Sequence, residues 1–183
     1  MKAVKLKGRR REVFAIKHGH LFFSDEEVDL ESLARGPLWE RAKRLLEHTK
    51  VEVDPRPFLV DGDMGIRRLM GYVFEEYVYG LLKGVFGEGN VERHKEAYYP
   101  IGRIAGRRVH AYPDFVISGK VAVEAKVGEC DESQISEYSR VYPLGAVVFP
   151  YSGSCRTPKG WRPFPWVVKD PKPFLDWILY LLK

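Results

Sequence analysis

The sequence of 183 residues has little cysteine and almost no side-chain amide: two cysteines, Cys130 and Cys155, one glutamine, Gln134, and one asparagine, Asn90. Two cysteines are too few for the disulfide framework of a small secreted domain, and their spacing matches no metal-binding motif. Scarce amides beside abundant Glu, Lys and Arg are typical of hyperthermophiles. A thermophilic protein is therefore expected, and the sequence leaves open whether the cysteines are bridged.

Long apolar runs are also missing. No stretch approaches the roughly 20 apolar residues that cross a membrane. Arg9, Arg10 and Arg11 interrupt the region where a secretory signal would be apolar. A cytoplasmic protein with no membrane partner is therefore expected. Because 45% of the residues are hydrophobic and 30% charged, a disordered or low-complexity chain is excluded.

Positive charge is concentrated near the N-terminus. Lysine and arginine number 30 against 25 aspartates and glutamates, and residues 1–20 contain seven basic residues and one acidic residue. A basic excess favours polyanionic partners such as nucleic acid. A solvated basic surface is the alternative explanation.

Residues 1–55 are predicted to form a small basic α+β module. Residues 12–24 alternate apolar and polar side chains and indicate a hairpin. Residues 37–49 carry leucines at helical spacing and begin with a proline that suits a first helical turn. Prolines 55 and 57 then break regular structure, so the boundary is placed at residue 55.

Residues 56–183 predict an α/β domain, in which a sheet is covered by helices. The predicted elements are a helix over about 64–85, strands over 91–99, 107–117 and 121–127, a helix over 132–140, a strand over 145–151, a short strand near 166–168 and a helix over 173–183. The last helix is apolar nearly all round and too short to span a bilayer. It is therefore expected in the core or at a subunit contact, which is compatible with a homodimer.

The most informative segment is 112–127. Side chains alternate faces along a strand, so Glu124 and Lys126 share one face. A three-residue turn at 118–120 sets a register that places Asp114 directly opposite Glu124. Like charges in that position repel each other, and Mg²⁺ takes such carboxylate oxygens as ligands. A chance arrangement of charges on a surface hairpin of an ordinary α/β protein is the alternative.

Three residues outside the hairpin add to this pattern. Glu75 lies on an otherwise apolar helix, where a surface ion pair would be its ordinary role. Gln134 and Tyr138 are four residues apart and share a helix face. For Gln134 the alternative is a capping box with Asp131, and for Tyr138 it is core packing.

Four elements thus follow one another along the chain: Glu75 on a helix, Pro113-Asp114, Glu124-Ala125-Lys126, and Gln134-x-x-x-Tyr138. Their order resembles the PD-(D/E)xK nuclease superfamily, most closely its RecB-type branch, over residues of about 66–151. The resemblance implies a restriction-endonuclease-like core of helix, three-stranded meander, helix and strand.

The resemblance also implies a metal site. Asp114 and Glu124 would hold Mg²⁺, for which Mn²⁺ can substitute, and the Ala125 carbonyl would complete the shell. Glu75 would be a further ligand, direct or through water, with Glu76 as its alternative. RecB-type relatives with an iron–sulfur cluster need four cysteines, and this chain has two, so no cluster is expected.

The remaining implied roles concern the nucleic acid. Lys126 would position or activate the attacking water and stabilise charge on the phosphorane. Gln134 and Tyr138 would orient the catalytic face or the backbone of the substrate, and His110 would be an accessory group or a surface residue. A sequence-independent contribution to binding is expected from basic side chains that track phosphates, among them Arg9, Arg10, Arg11, Arg107 and Arg108.

The expected function is that of a Mg²⁺-dependent deoxyribonuclease, thermophilic or archaeal, in repair, recombination or defence. The alternative is a nucleic-acid-binding or assembly protein that keeps the scaffold without cutting, although an intact set of Asp114, Glu124 and Lys126 argues against it. The sequence leaves open the choices between exonuclease and endonuclease, DNA and RNA, and single-stranded, duplex and branched substrates, and also the strand polarity.

Overall fold

The computed structural model describes residues 35–59, 62–93 and 112–183. Of these, 35–59 and 62–73 belong to one compact unit, and 74–93 and 112–183 belong to another. The predicted hairpin of the N-terminal module, the five arginines expected to bind phosphates and His110 lie outside the described residues. The boundary at residue 55 stays a prediction.

The first unit contains helices α1 (Gly36–Thr49) and α2 (Arg56–Leu59) and the beginning of α3 (Gly62–Phe86). Helix α1 confirms the helix expected over 37–49. Lys50 caps its C-terminal end, with a left-handed backbone (φ 55°) and an amide that donates to the Leu46 carbonyl at 2.9 Å. Helix α3 extends the expected helix by two residues at its N-terminal end.

The second unit is a mixed α/β layer structure around a five-stranded sheet in the order β1-β2-β3-β4-β5. Its elements are the end of α3, a 3₁₀ turn (Glu88–Asn90), β1 (Val91–Arg93), β2 (Phe115–Ile117), β3 (Val121–Ala125), α4 (Glu132–Val141), β4 (Leu144–Val148), β5 (Trp161–Phe164) and α5 (Lys172–Leu181). Strands β1, β2 and β3 form an antiparallel meander, whereas β3, β4 and β5 run parallel. Three strands therefore share a carboxyl end.

The prediction of a strand near 166–168 is wrong. The fifth strand is Trp161–Phe164, and residues 167–169 form a turn. Pro163 lacks a backbone donor, which favours an edge strand, and β5 is the last strand of the described sheet. Trp166 has a φ of 62°, so a strand cannot continue through it.

The core between the sheet and α4 is apolar and closely packed. Its fully buried members are Ala122, Ile135, Tyr138, Val147, Phe149 and Trp161. A side chain at Gly145 would meet the Trp161 indole at 2.5 Å, so only glycine fits there. This packing fixes α4 against β3. Among the described residues, none of the helices has the length and apolar character needed to cross a bilayer.

The sulfurs of Cys130 and Cys155 are bonded, which joins the segment before α4 to the segment after β4 across 25 residues of chain. Replacing both cysteines by serine is expected to lower the free energy of unfolding by about 3 kcal/mol, because the unfolded chain regains the entropy of an open loop. For a chain of this size the melting temperature then falls by roughly 6–12 °C. Calorimetry without reductant measures this.

A reducing agent provides the control, since it removes the same bond chemically. Reductant should lower the melting temperature of the parent protein to that of the double variant and leave the variant unchanged. Equal melting temperatures of parent and variant without reductant would show that the bond contributes nothing.

Candidate active site

The hairpin of β2 and β3 has the predicted register. Phe115 faces Val123 and Ile117 faces Val121. The turn between the strands contains Ser118 and Gly119, both with left-handed backbones (φ 50° and 66°). Strand β2 begins at Phe115, which faces Val123. The next opposed residues are therefore Asp114 and Glu124, at the carboxyl end of β3.

Beyond the last backbone hydrogen bonds between β2 and β3, the carboxylates of Asp114 and Glu124 continue the contact between the two strands. The Asp114 amide donates to Glu124 Oε2 at 3.2 Å, and the Ala125 amide donates to Asp114 Oδ2 at 2.8 Å. Each carboxylate therefore accepts from the main chain beside the other one. Because backbone amides hold both, the carboxylates are fixed side by side before any ligand binds.

Lys126 is the cation of the site. Its Nζ lies 2.7 Å from Glu124 Oε1 and donates to Gln134 Oε1, also at 2.7 Å. Its amide donates to the Val148 carbonyl of β4 at 2.9 Å, which anchors the residue to the parallel half of the sheet. The side chain is 20% exposed, against 5% for that of Glu124, so the ammonium lies between a buried carboxylate and solvent.

Helix α4 supplies the other partner of Lys126. Asp131 caps the helix by accepting from the amides of Ser133 and Gln134, which confirms half of the predicted capping box. The other half, in which the Gln134 side chain would bond back to the cap residue, is wrong, because this side chain contacts Lys126 and Tyr138. An ammonium can only donate, so the Gln134 carbonyl faces Lys126 and its NH₂ donates to the Tyr138 hydroxyl at 2.7 Å.

Tyr138 combines the two roles considered for it. Its ring packs in the core with Ile135 and Phe149, and its hydroxyl accepts the hydrogen bond from Gln134. The chain Tyr138–Gln134–Lys126–Glu124 is thus continuous, from the core to the carboxylate pair. A continuous chain of hydrogen bonds of this kind restricts the rotamers of its members.

Glu75 and Glu76 have different surroundings in the structure. Glu75 is buried, and its negative charge acts on Glu124. Glu76 is bound by Arg93 of β1, whose Nη1 donates to it at 3.2 Å and whose Nη2 contacts its other oxygen. The Arg93 guanidinium also lies over the Tyr79 ring, 4.8 Å from its centroid. Glu76 is therefore an ion-pair residue, and Glu75 is the helix carboxylate whose charge acts on Glu124.

Burial raises the pKa of Glu124, and the charge of Glu75 raises it further. The Lys126 ammonium and the Asp114 amide lower this pKa and offset the effect of burial only in part. Ionised Glu124 is therefore costly in the folded protein. A carboxylate with a raised pKa that is paired with a lysine is a feature of functional sites.

The donor set fits a hard divalent cation. Asp114 and Glu124 are adjacent, the second is 4% exposed, and a third carboxylate acts on it electrostatically. Within residues 35–59, 62–93 and 112–183, no three His, Cys, Asp or Glu side chains form a complete metal-binding group. Magnesium characteristically takes one or two carboxylates together with water and substrate phosphates, which matches this pair.

The structure thus connects five of the six residues expected to act in the site through hydrogen bonds and an ion pair: Asp114, Glu124, Lys126, Gln134 and Tyr138. The sixth, Glu75, acts on Glu124 through its charge. Ala125 lies among them, and its amide is the one that binds Asp114. The sequence did not reveal the contact between Lys126 and Gln134. The only feature of the sequence that indicates this contact is a polar residue, Gln134, in the first turn of the helix that Asp131 caps.

Comparison with known proteins does not extend this description. No model of a protein family matches the chain, and neither the characterised proteins nor the solved structures include one that is significantly similar.

Proposed function

We propose that this protein is a metal-dependent nuclease that hydrolyses DNA phosphodiester bonds on a restriction-endonuclease-like core. The observation that carries the proposal is the pair of carboxylates, Asp114 and Glu124, fixed by backbone amides with the Lys126 ammonium 2.7 Å from one of them. This set stands at the carboxyl ends of parallel strands, the edge where α/β sheets bind ligands. The resemblance to PD-(D/E)xK nucleases supports the same function.

In this proposal Asp114 and Glu124 hold Mg²⁺ or Mn²⁺, with Glu75 and the Ala125 carbonyl as further donors. The bound cation polarises a phosphoryl oxygen and makes water a stronger nucleophile near neutral pH. Lys126 places a fixed positive charge where the phosphoryl group becomes more negative, which lowers the barrier without reorganisation of solvent. Because Lys126 reaches solvent while Glu124 does not, the lysine is the group that meets the substrate.

Gln134 is a positioning residue, because it acts through Lys126. Replacing Gln134 with leucine should lower kcat about tenfold and leave KM within a factor of two, since the lysine loses its second anchor but keeps Glu124. Steady-state kinetics measures the split between kcat and KM. Glu137→Ala, an exposed position on the same helix, is the matched control and should behave as the parent. A change in KM alone would contradict the positioning role.

The proposed function is tested by cleavage of labelled single-stranded, duplex and branched DNA, and of RNA, at elevated temperature. Each substrate is incubated with Mg²⁺, Mn²⁺ or a chelator. Fragments that form only with a cation support the nuclease, and the preferred substrate defines its class. Binding of DNA without cleavage under every cation would leave the alternative function, a nucleic-acid-binding or assembly protein on this scaffold.

The context of the activity is proposed from the sequence. A role in repair, recombination or defence, a cytoplasmic location, a thermophilic or archaeal source and a homodimer are part of this proposal. In the described part of α5, Phe174 and Ile178 are buried, whereas Leu179 and Tyr180 are exposed at 42% and 66%. Exposed apolar side chains on this helix are the feature that supports a subunit contact.

A further inference from the structure

An aromatic pair lies beyond the carboxyl ends of β4 and β5. The Tyr151 and Trp166 rings are 6.2 Å apart between centroids and meet edge to face at 67°. The Trp166 amide donates to the Tyr151 carbonyl at 2.9 Å, and the Trp166 carbonyl accepts from the amides of Lys169 and Asp170, each at 2.9 Å. Backbone hydrogen bonds on both sides therefore hold the tryptophan in place.

Trp166 is both exposed and conformationally unfavourable. Its side chain is 49% exposed, and its φ of 62° lies in the left-handed region that large side chains rarely adopt. Packing does not account for a tryptophan that remains half in solvent. Residues held in such conformations by their surroundings are concentrated at ligand-binding sites.

The pair shares its edge of the sheet with the carboxylate site. Ala125 of β3 is in register with Val148 of β4, which is in register with Phe164 of β5. Trp166 lies two residues beyond Phe164, and Lys126 lies one residue beyond Ala125. Both residues therefore follow directly on the carboxyl ends of their strands. Two strand spacings separate β3 from β5, a distance of about 10 Å. Trp166 is thus within the reach of a nucleotide next to the one at the carboxylates.

We propose that Trp166 is a stacking platform for an unpaired nucleobase of a strand whose phosphate backbone crosses the Asp114–Glu124 site. The inference rests on the proposed function and specifies its substrate as single-stranded nucleic acid, or a single-stranded part of a branched one. An aromatic ring stacks on any base, so the contact tolerates all sequences. In a duplex both faces of a base are covered by its neighbours, so duplex DNA gains nothing from Trp166.

The test measures the affinity of a fluorescently labelled oligothymidine for protein variants by anisotropy, with Glu124→Gln in every variant to prevent cutting. Trp166→Ala should weaken binding about tenfold, and Trp166→Phe should retain most of it, because phenylalanine still offers a ring. Val85→Ala shortens another exposed apolar side chain, 45% exposed near the end of α3, and should leave affinity unchanged. Affinity for a duplex of equal length should be the same in all of them.

Two further measurements separate stacking from folding. Trp166→Ala should have no effect on the affinity for an oligonucleotide without bases, because the ring then has nothing to stack on. Trp166→Gly should weaken binding of the normal oligonucleotide while its melting temperature is unchanged or higher, since glycine adopts a φ of 62° without strain.

The outcomes distinguish this inference from the proposed function. Cleavage by the parent with equal single-strand affinity of Trp166→Ala overturns the stacking platform and keeps the nuclease. Single-strand binding that depends on Trp166, without cleavage by the parent under any cation, keeps the platform and overturns the nuclease. If the protein binds no nucleic acid, both fail.

Discussion

Replacing Glu124 with glutamine is expected to reduce metal-dependent cleavage by about 1,000-fold, equivalent to about 4 kcal/mol of transition-state stabilisation. The amide keeps the shape of the side chain and one oxygen, which can accept either from the Asp114 amide or from Lys126, because these two donors contact different oxygens of the carboxylate. It loses the negative charge that a divalent cation requires. Single-turnover cleavage rates at saturating Mg²⁺ measure the effect.

Glu92→Gln is the matched control, because it makes the same change at an exposed position of the same sheet. It should cut at the rate of the parent. A Glu124→Gln variant that also cuts at the parent rate would remove Glu124 from the catalytic centre.

The same substitution should remove a pH dependence of the stability. A carboxyl group whose pKa is raised by folding destabilises the folded state as pH rises from its ordinary range through the raised value. Because burial raises the pKa of Glu124, the parent protein should lose stability over that interval and the glutamine variant should not. Thermal unfolding of the parent and the variant across this pH range measures the two slopes, and equal slopes would contradict the prediction.

Replacing Lys126 with methionine is expected to lower kcat about 100-fold with KM changed less than threefold. Methionine preserves the length of the apolar stem and removes the fixed positive charge, which stabilises the transition state more than the bound substrate. Steady-state kinetics on a single-stranded oligonucleotide separates the two constants.

Lys120→Met is the control for loss of one positive charge, because Lys120 lies exposed in the turn between β2 and β3. It should reproduce the parent kinetics. If both lysine variants lose the same activity, the effect of Lys126 is only a general attraction of the polyanion and its proposed place in the mechanism is wrong.

Much of this site could be predicted from local sequence. The turn at Ser118 and Gly119 fixes the register of its hairpin, because side chains on paired strands alternate with a period of two. That register alone places Asp114 beside Glu124. The cap at Asp131 is equally local, since a helix exposes its first amides wherever it begins.

The contacts that could not be predicted join distant elements. Glu76 is paired because Arg93 of β1 lies against α3. The sequence preferred Glu75 to Glu76 only through the resemblance to PD-(D/E)xK nucleases, because no local pattern distinguishes the two. The sequence allows Gln134 a local role in the helix cap, but in the structure its side chain forms hydrogen bonds with Lys126 and Tyr138 instead. The fifth strand contains Pro163, a residue that excludes central strands but is tolerated at the edge of the described sheet. The sequence alone does not reveal which strand is at the edge.

The central claim is that Asp114, Glu124 and Lys126 form a metal-dependent phosphodiesterase centre. The most direct test is the rate at which the parent protein cuts a labelled single-stranded oligonucleotide as Mg²⁺ is titrated at elevated temperature. We predict no cleavage in chelator, a rate that rises with Mg²⁺ and saturates, and no such rise in Glu124→Gln. A rate that stays at zero with Mg²⁺ and with Mn²⁺, or one that is unchanged by chelator, would contradict the claim.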